Sequence, residues 1–460
     1  MKPVHHAACF SSHGSIKLSF TGPLDGIPLA AVLFTAVLLG GCGGGDGSDD
    51  DGDGDATDGP SAAYRLLHQD ILINADLWRD TPQILSASYA FEGIIGVDDN
   101  EEAVRAAGGT WNQAVCTSGA EPDVRALTSS PTPQGVAATF GYPVYENDAL
   151  PVVFSWPLLP STLDPTDFRL TLNTGERVFP NVASISPNLE YNERHVAVIF
   201  GEFGNRLPPG ADGAVYPTGV EIVEDDTPLM LVGPDGPVSA VGLTWTGGHG
   251  YVSGPTLVGA KLSHLNTMGE GAPALFAGQL PNDGATLYGP EARYRLRVYT
   301  SGGFSADGVR SVLPDEFSRF FRLHVSTASG GVEWLTQTGV DYVLEMGRIR
   351  ILGLADLGLP AGTVTGDDPP VAYDDCYIED HDNYIDIVLA GDEAAMRRIT
   401  HVEIPADGVY SAFYNPGGPG NDPTPGVTYT APGPADLEPV IMALDDPMTV
   451  TYGAVPETHP

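Results

Sequence analysis

The feature that most limits what this chain can become is the shortness of its apolar runs. After residue 150 almost every hydrophobic stretch is brief and is closed by Pro, Gly, Asn or Asp, which set turns rather than continue helices. Val152 to Trp156, Phe168 to Leu172, His195 to Phe200 and Gly219 to Val223 read as strands of this kind. So do Val238 to Trp245, Thr256 to Leu262, Tyr294 to Tyr299, Arg319 to Val325, Tyr342 to Leu352 and Tyr384 to Leu389. Helical patterns are confined to Tyr64 to Trp78, Asp98 to Ala107 and Asp392 to Ile399. The expectation is a mainly β chain with few short helices, and 57 glycines and 40 prolines fit its many turns.

A chain of 460 residues exceeds what one hydrophobic core serves, so several domains are expected. Its 60 Asp and Glu against 21 Lys and Arg give a net charge of -39, which sets it against nucleic acid as a partner. The same charge repels anionic head groups, so any membrane attachment must come from a lipid or a leader rather than a basic patch. Divalent cations are the natural counter-ions. No fixed-period repeat, heptad or phosphate-cradling glycine turn is present in the sequence.

Ile27 to Gly41 reads IPLAAVLFTAVLLGG, shorter than the roughly 20 apolar residues that span a bilayer as a helix, and of the length of a signal-peptide core. It ends in Leu39-Gly40-Gly41-Cys42, which resembles the bacterial lipobox. That resemblance implies a signal peptide over residues 1–41 and a lipid on Cys42. With Gly43 rather than aspartate after the cysteine, it also implies the outer membrane or cell surface rather than the inner membrane. Residues 42–61 are Gly- and Asp-rich with almost nothing to bury, a self-repelling tether. If Cys9 leaves with the leader and Cys42 carries the lipid, Cys116 and Cys376 remain, either as a disulfide in an oxidising compartment or as two buried thiols.

The text PVVFSWPLLPSTLDPTDFRLTLNTGE resembles the opening of bacterial Ig-like modules. The likeness covers roughly residues 82–226, with Gln83 to Phe91 as a candidate first strand, and implies at least one Ig-like antiparallel β-sandwich. It is nearly silent on function, because such modules are scaffolds whose loops carry the sites. The expected layout is an N-terminal segment with the Ig-like sandwich over residues 62–226, a second β-rich domain over 227–352 and a C-terminal β-rich segment over 353–460.

The densest set of candidate ligands is Asp374, Asp375, Glu379, Asp380, Asp382 and Asp386, around His381. Oxygen donors at this density suit calcium, although an acidic loop before a strand would read the same way. On an extended backbone Asp380, Asp382, Tyr384 and Asp386 share one face. Motifs for a nucleophile elbow, a zinc protease or a dithiol are missing from the sequence. His249 in the glycine-rich Thr246 to Ser253 reads more as a turn than a site. Phe317, Phe320, Phe321, Tyr410, Phe413 and Tyr414 suit a core more than a sugar-stacking platform.

The resulting expectation is a lipid-anchored envelope protein of β modules, non-enzymatic, serving binding, adhesion or structure, with calcium as a candidate stabiliser and a protein or carbohydrate partner. The competing expectation is an envelope hydrolase whose carboxylates and histidine act between modules. Changing Cys42 to Ser is expected to move the protein from the membrane fraction to the soluble fraction. A mutant that still sediments with membranes would remove the lipid anchor.

Overall fold

The computed structural model describes most of residues 61–453; the longer stretches outside the description are 116–123, 248–255, 304–311, 358–381 and 406–434. The protein is mainly β, with short helices such as Ala62–Leu67, Glu101–Ala106 and Pro133–Phe140. Strand β1 spans Leu72–Asp76. The following strands are β2 (Ile84–Ser86), β3 (Phe91–Ile95), β4 (Trp111–Val115), β5 (Val124–Thr128), β6 (Asn147–Phe154), β7 (Phe168–Leu172), β8 (Arg177–Val178), β9 (Val182–Ser184), β10 (Val196–Gly201) and β11 (Pro217–Ile222). A hairpin of β12 (Met230–Gly233) and β13 (Gly236–Ser239) precedes β14 (Thr244–Thr246).

These strands form two antiparallel sheets, β2-β6-β10-β9 with β3 also on β6, and β14-β11-β7-β8. In chain order this is the ABED sheet facing the CFG sheet of an immunoglobulin sandwich, with one extra edge strand, β8, beside β7. Alternation explains the facing. In β7, Phe168, Leu170 and Leu172 are buried and Thr171 exposed, and Phe168 and Leu170 join Leu150, Val152 and Phe154 of β6 in one core. The pair β4 and β5 is inserted between the first two strands of the sandwich, and the β12–β13 hairpin before the last. That second insertion carries the sandwich to β14, past residue 226, where the run Val238 to Trp245 is two strands broken at Gly242 rather than one.

The remaining strands are β15 (Leu257–His264), β16 (Tyr294–Thr300), β17 (Arg322–Ser326), β18 (Val332–Leu335), β19 (Asp341–Leu344), β20 (Gly347–Ala355), β21 (Tyr384–Gly391), β22 (Ile399–Ile404), β23 (Asp436–Met442) and β24 (Thr449–Tyr452). Nine of them join in one sheet, β18-β17-β22-β23-β15-β16-β21-β20-β19, antiparallel except where β23 runs parallel to β15. The sequence separated residues 227–352 from 353–460; the sheet unites them, because β21 inserts between β16 and β20 by long-range pairing that local patterns do not report. The run Tyr342 to Leu352 is a hairpin turning at Glu345 and Met346.

One face of β15, β16, β20 and β21 is apolar. Leu257, Ala260, Leu262, Leu296, Val298, Ile351, Ile385, Ile387 and Leu389 pack there with Phe317, Phe320 and Phe321, which are therefore core residues. The opposite face is turned toward the sandwich and carries Lys261, Arg295, Arg297, Tyr299, Tyr384 and Asp386, all of them buried. Among the described residues no helix is long and apolar enough to cross a membrane.

The first and last described strands close this junction. Strand β1 pairs with β24, and just beyond β1 the Leu77 amide donates to the Met448 carbonyl. Trp78 follows, its ring stacked on Tyr299 at 4.9 Å and seated directly over Gly259, where a Cβ would lie 2.5 Å from the ring. Gly259→Ala is expected to push Trp78 off the sheet and destabilise the fold by about 1–3 kcal/mol. A denaturation midpoint unchanged in the variant would contradict this seating.

Candidate functional site

Arg297 lies in the middle of β16, directly opposite Lys261 of β15 on one side and Asp386 of β21 on the other. Its Nε is 2.8 Å from Asp386 Oδ1 and its Nη2 3.1 Å from Asp386 Oδ2, a two-pronged pairing that fits the planar guanidinium to the carboxylate. The same Nη2 donates to Asp356 Oδ2 at 2.8 Å, while Nη1 is 2.8 Å from Glu193 Oε1, close as an ion pair although not aligned as a hydrogen bond. The guanidinium sits 5.2 Å from the centre of the Tyr384 ring. Asp356 reaches Arg297 from just beyond β20 with a left-handed backbone, φ 59°, which aspartate tolerates better than most residues.

Two further cations flank this hub. Lys261 Nζ is 2.5 Å from Asp76 Oδ1 as an ion pair and donates to the carbonyls of Pro447 and Met448 at 2.9 and 2.8 Å. Arg295 Nη1 donates to Glu270 Oε1 at 2.8 Å and lies 3.7 Å from Asp386. Glu270 also accepts from Asn192 Nδ2 at 3.0 Å. Burial pushes Asp76 up, but Lys261, Arg295 and Arg297 outweigh it and hold the carboxyl down to about 2.

The segment 188–195 forms the other wall. The Tyr191 amide donates to Gly271 and the Ile73 amide to Tyr191, which stitches this segment to β1 and to the loop after β15. It presents Glu190, Glu193 and His195, each almost completely buried. His195 Nε2 is 2.5 Å from the Asp76 carbonyl and Nδ1 2.7 Å from the Tyr384 hydroxyl. A carbonyl can only accept, so Nε2 carries the hydrogen and Nδ1 accepts from Tyr384. Burial pushes the ring down to about 4, which keeps it neutral at neutral pH.

Glu190, Glu193 and Asp356 come together so closely that one carboxylate oxygen from each lies within 4.8 Å of the others. Burial is the largest influence on all three and raises their carboxyls. For Glu193 it prevails over the attraction of Arg297 and carries the group to about 8. Burial and Glu193 together raise Glu190 and Asp356 well above the usual carboxylate range. Protons or a cation must relieve this repulsion.

Of the acidic residues singled out in the sequence, Asp386 holds Arg297, and Asp382 is buried and caps the Tyr384 amide at 2.8 Å. Asp374, Asp375, Glu379, Asp380 and His381 lie outside the described residues, as do Cys42, Cys116, Cys376, His249, Ser253, Tyr410, Phe413 and Tyr414. The sequence reading missed Glu190, Glu193, Asp356, Asp76, Lys261, Arg295 and Arg297. The available signal was the alternation of Arg295, Arg297 and Tyr299 with Leu296 and Val298, but alternating charge in a strand equally describes a solvated face.

A carboxyl raised in the folded state binds its proton more tightly there than in the unfolded chain. For Glu193, raised from 4.5 to about 8, this contribution is full below pH 4.5 and is lost as pH climbs toward 8. With divalent cations chelated, the melting temperature is therefore expected to fall between about pH 5 and 8. Glu193→Gln should flatten that slope, and a wild-type slope of the opposite sign would contradict it. No protein-family model, curated protein or solved structure matches the chain, so its functional reading rests on these residues.

Proposed function

We propose that the chain is a lipid-anchored cell-envelope protein that acts in binding or as a structural element, and that its ionic core locks an Ig-like sandwich to a second β unit. The observation that carries this reading is the engagement of the groups that chemistry would need. Lys261 pairs with Asp76 and donates to the carbonyls of Pro447 and Met448, and both His195 ring nitrogens are taken by Asp76 and Tyr384. A general acid or base has to reach a proton on a substrate, whereas these side chains are buried on every side.

Support for the address comes from the lipobox-like Leu39-Gly40-Gly41-Cys42 and the acidic tether after it. A rigid junction suits a scaffold that presents loops at a distance from the membrane, and a protein or carbohydrate ligand would meet those loops. Buried ion pairs suit such a joint because their geometry is specific. Removing one partner of such a pair costs about 3–5 kcal/mol, so wrong registers are disfavoured.

The specific observation on the side of a hydrolase is the set of carboxylates raised between two modules, a pattern common in active sites. The two readings part on one assay. Full-length protein, tested against ester, peptide, glycoside and phosphate-ester substrates, is expected to show the same background as Glu193→Gln. Turnover that the variant abolishes would make the chain a hydrolase.

A further inference from the structure

We propose that Glu190, Glu193 and Asp356 bind a calcium ion between the sandwich and the nine-stranded sheet. This stands apart from the choice between scaffold and enzyme, since a structural ion serves either.

The first argument is charge. Seven buried or nearly buried carboxylates, Asp76, Glu190, Glu193, Glu270, Asp356, Asp382 and Asp386, meet three cations, Lys261, Arg295 and Arg297. Matched by their short pairings, Asp76 goes with Lys261, Glu270 with Arg295 and Asp386 with Arg297. Carboxylates therefore outnumber cations, Arg297 is shared by Asp386, Asp356 and Glu193, and the oxygens of Glu190, Glu193 and Asp356 converge. A buried surplus of this size is costly without compensation. One divalent ion at the converging oxygens would offset two of these charges.

The second argument is independent of acidity and concerns unclaimed atoms. Asp356 turns Oδ2 to Arg297 and leaves Oδ1 without a hydrogen-bond partner. Glu193 sets Oε1 beside Arg297 and leaves Oε2 without one. Glu190 Oε2 is likewise unpartnered, and the three residues are at most 3% exposed. Other buried polar atoms are unpartnered too, among them Trp78 Nε1 and Asn188 Nδ2, but among the described residues only this triad brings such carboxylate oxygens together, as an ion or water would require. Raised carboxyls at all three agree with the same want of positive charge.

Ligand type and spacing choose the ion. The donors are all carboxylate oxygens, which favour a hard cation, while zinc would draw on nitrogen or sulfur. Calcium binds oxygen at about 2.3–2.6 Å, so ligands across the ion are about 4.6–5.2 Å apart. The three oxygens lie within 4.8 Å of one another, close enough to share one ion. Magnesium holds shorter octahedral bonds and retains several waters, for which a site this enclosed is poorly suited.

The test uses the full chain purified in detergent, loaded with calcium, dialysed into metal-free buffer and measured for metal content and melting temperature. Wild type is expected to retain calcium and to melt lower after chelation. Glu190→Gln keeps the Arg297 pairs, and should lose one calcium per chain or bind it at least about tenfold more weakly. Asp374→Asn with Asp380→Asn must leave that ion in place, which separates the triad from the acidic stretch before β21. Should Glu190→Gln fail to fold, terbium emission sensitised by the nearby tyrosines, and quenched by added calcium, is expected to persist in the Asp374→Asn, Asp380→Asn chain. Absence of calcium and of any chelation effect in wild type, retention by Glu190→Gln, or loss in the double variant alone would overturn the proposal.

Discussion

The pairing of Arg297 with Asp386, Asp356 and Glu193 is the interaction on which the remaining architecture depends. Each carboxylate comes from a different part of the chain: β21, the residue after β20, and the segment before β10 of the sandwich. A single guanidinium thus fixes the order of three strands in the large sheet and its distance from the sandwich. An apolar face could hold these parts together, but it would tolerate sliding by a residue pair more readily than a two-pronged carboxylate does. The aromatic stack of Trp78, Tyr299 and Tyr384 closes one side of the hub, with the two tyrosine rings 4.7 Å apart and nearly parallel. That stack lowers the polarity around Arg297, which strengthens every charge contact and raises the cost of leaving one unmade.

The first and last described strands belong to the same constraint. Lys261 takes the carbonyls just before β24, and Asp76, which holds Lys261, closes β1, the partner of β24. The first and last described strands are therefore tied to each other and to the ionic core at once. Two units that would otherwise be joined by a linker are made into one body whose terminal strands cannot detach without stripping a buried lysine of its acceptors. The cost of such an unpaired buried charge far exceeds that of fraying an exposed strand pair.

Much of the fold was legible in the sequence and little of the candidate site was. Phe168 to Leu172 and Tyr294 to Tyr299 were readable as strands because apolar residues alternate between turn-forming neighbours, and the Ig-like likeness foresaw a two-sheet sandwich. The union of residues on either side of 353 in one sheet was not readable, since pairing between β16 and β21 spans distant sequence and leaves no local mark. For the site, the obstacle is an ambiguity of pattern. Arg295 and Arg297 alternate with Leu296 and Val298 as they would on a half-solvated strand, and only the segment 188–195 laid over them makes the charged face interior. Glu190 and Glu193 gave no signal at all. In so acidic a chain two more glutamates in a loop are what solvent exposure would also produce.

This interior use of charge changes what the exterior presents. Among the described residues, Arg194, Lys261, Arg295 and Arg297 are buried, and three of them pair with internal carboxylates. The surface is accordingly short of cations, and its long-range field is of one sign. In the proposed envelope setting, such a surface is repelled by anionic head groups. The two sets of charge act over different ranges: inside, ion pairs hold the sheets together at contact distance, while outside the acidic charge acts through solvent.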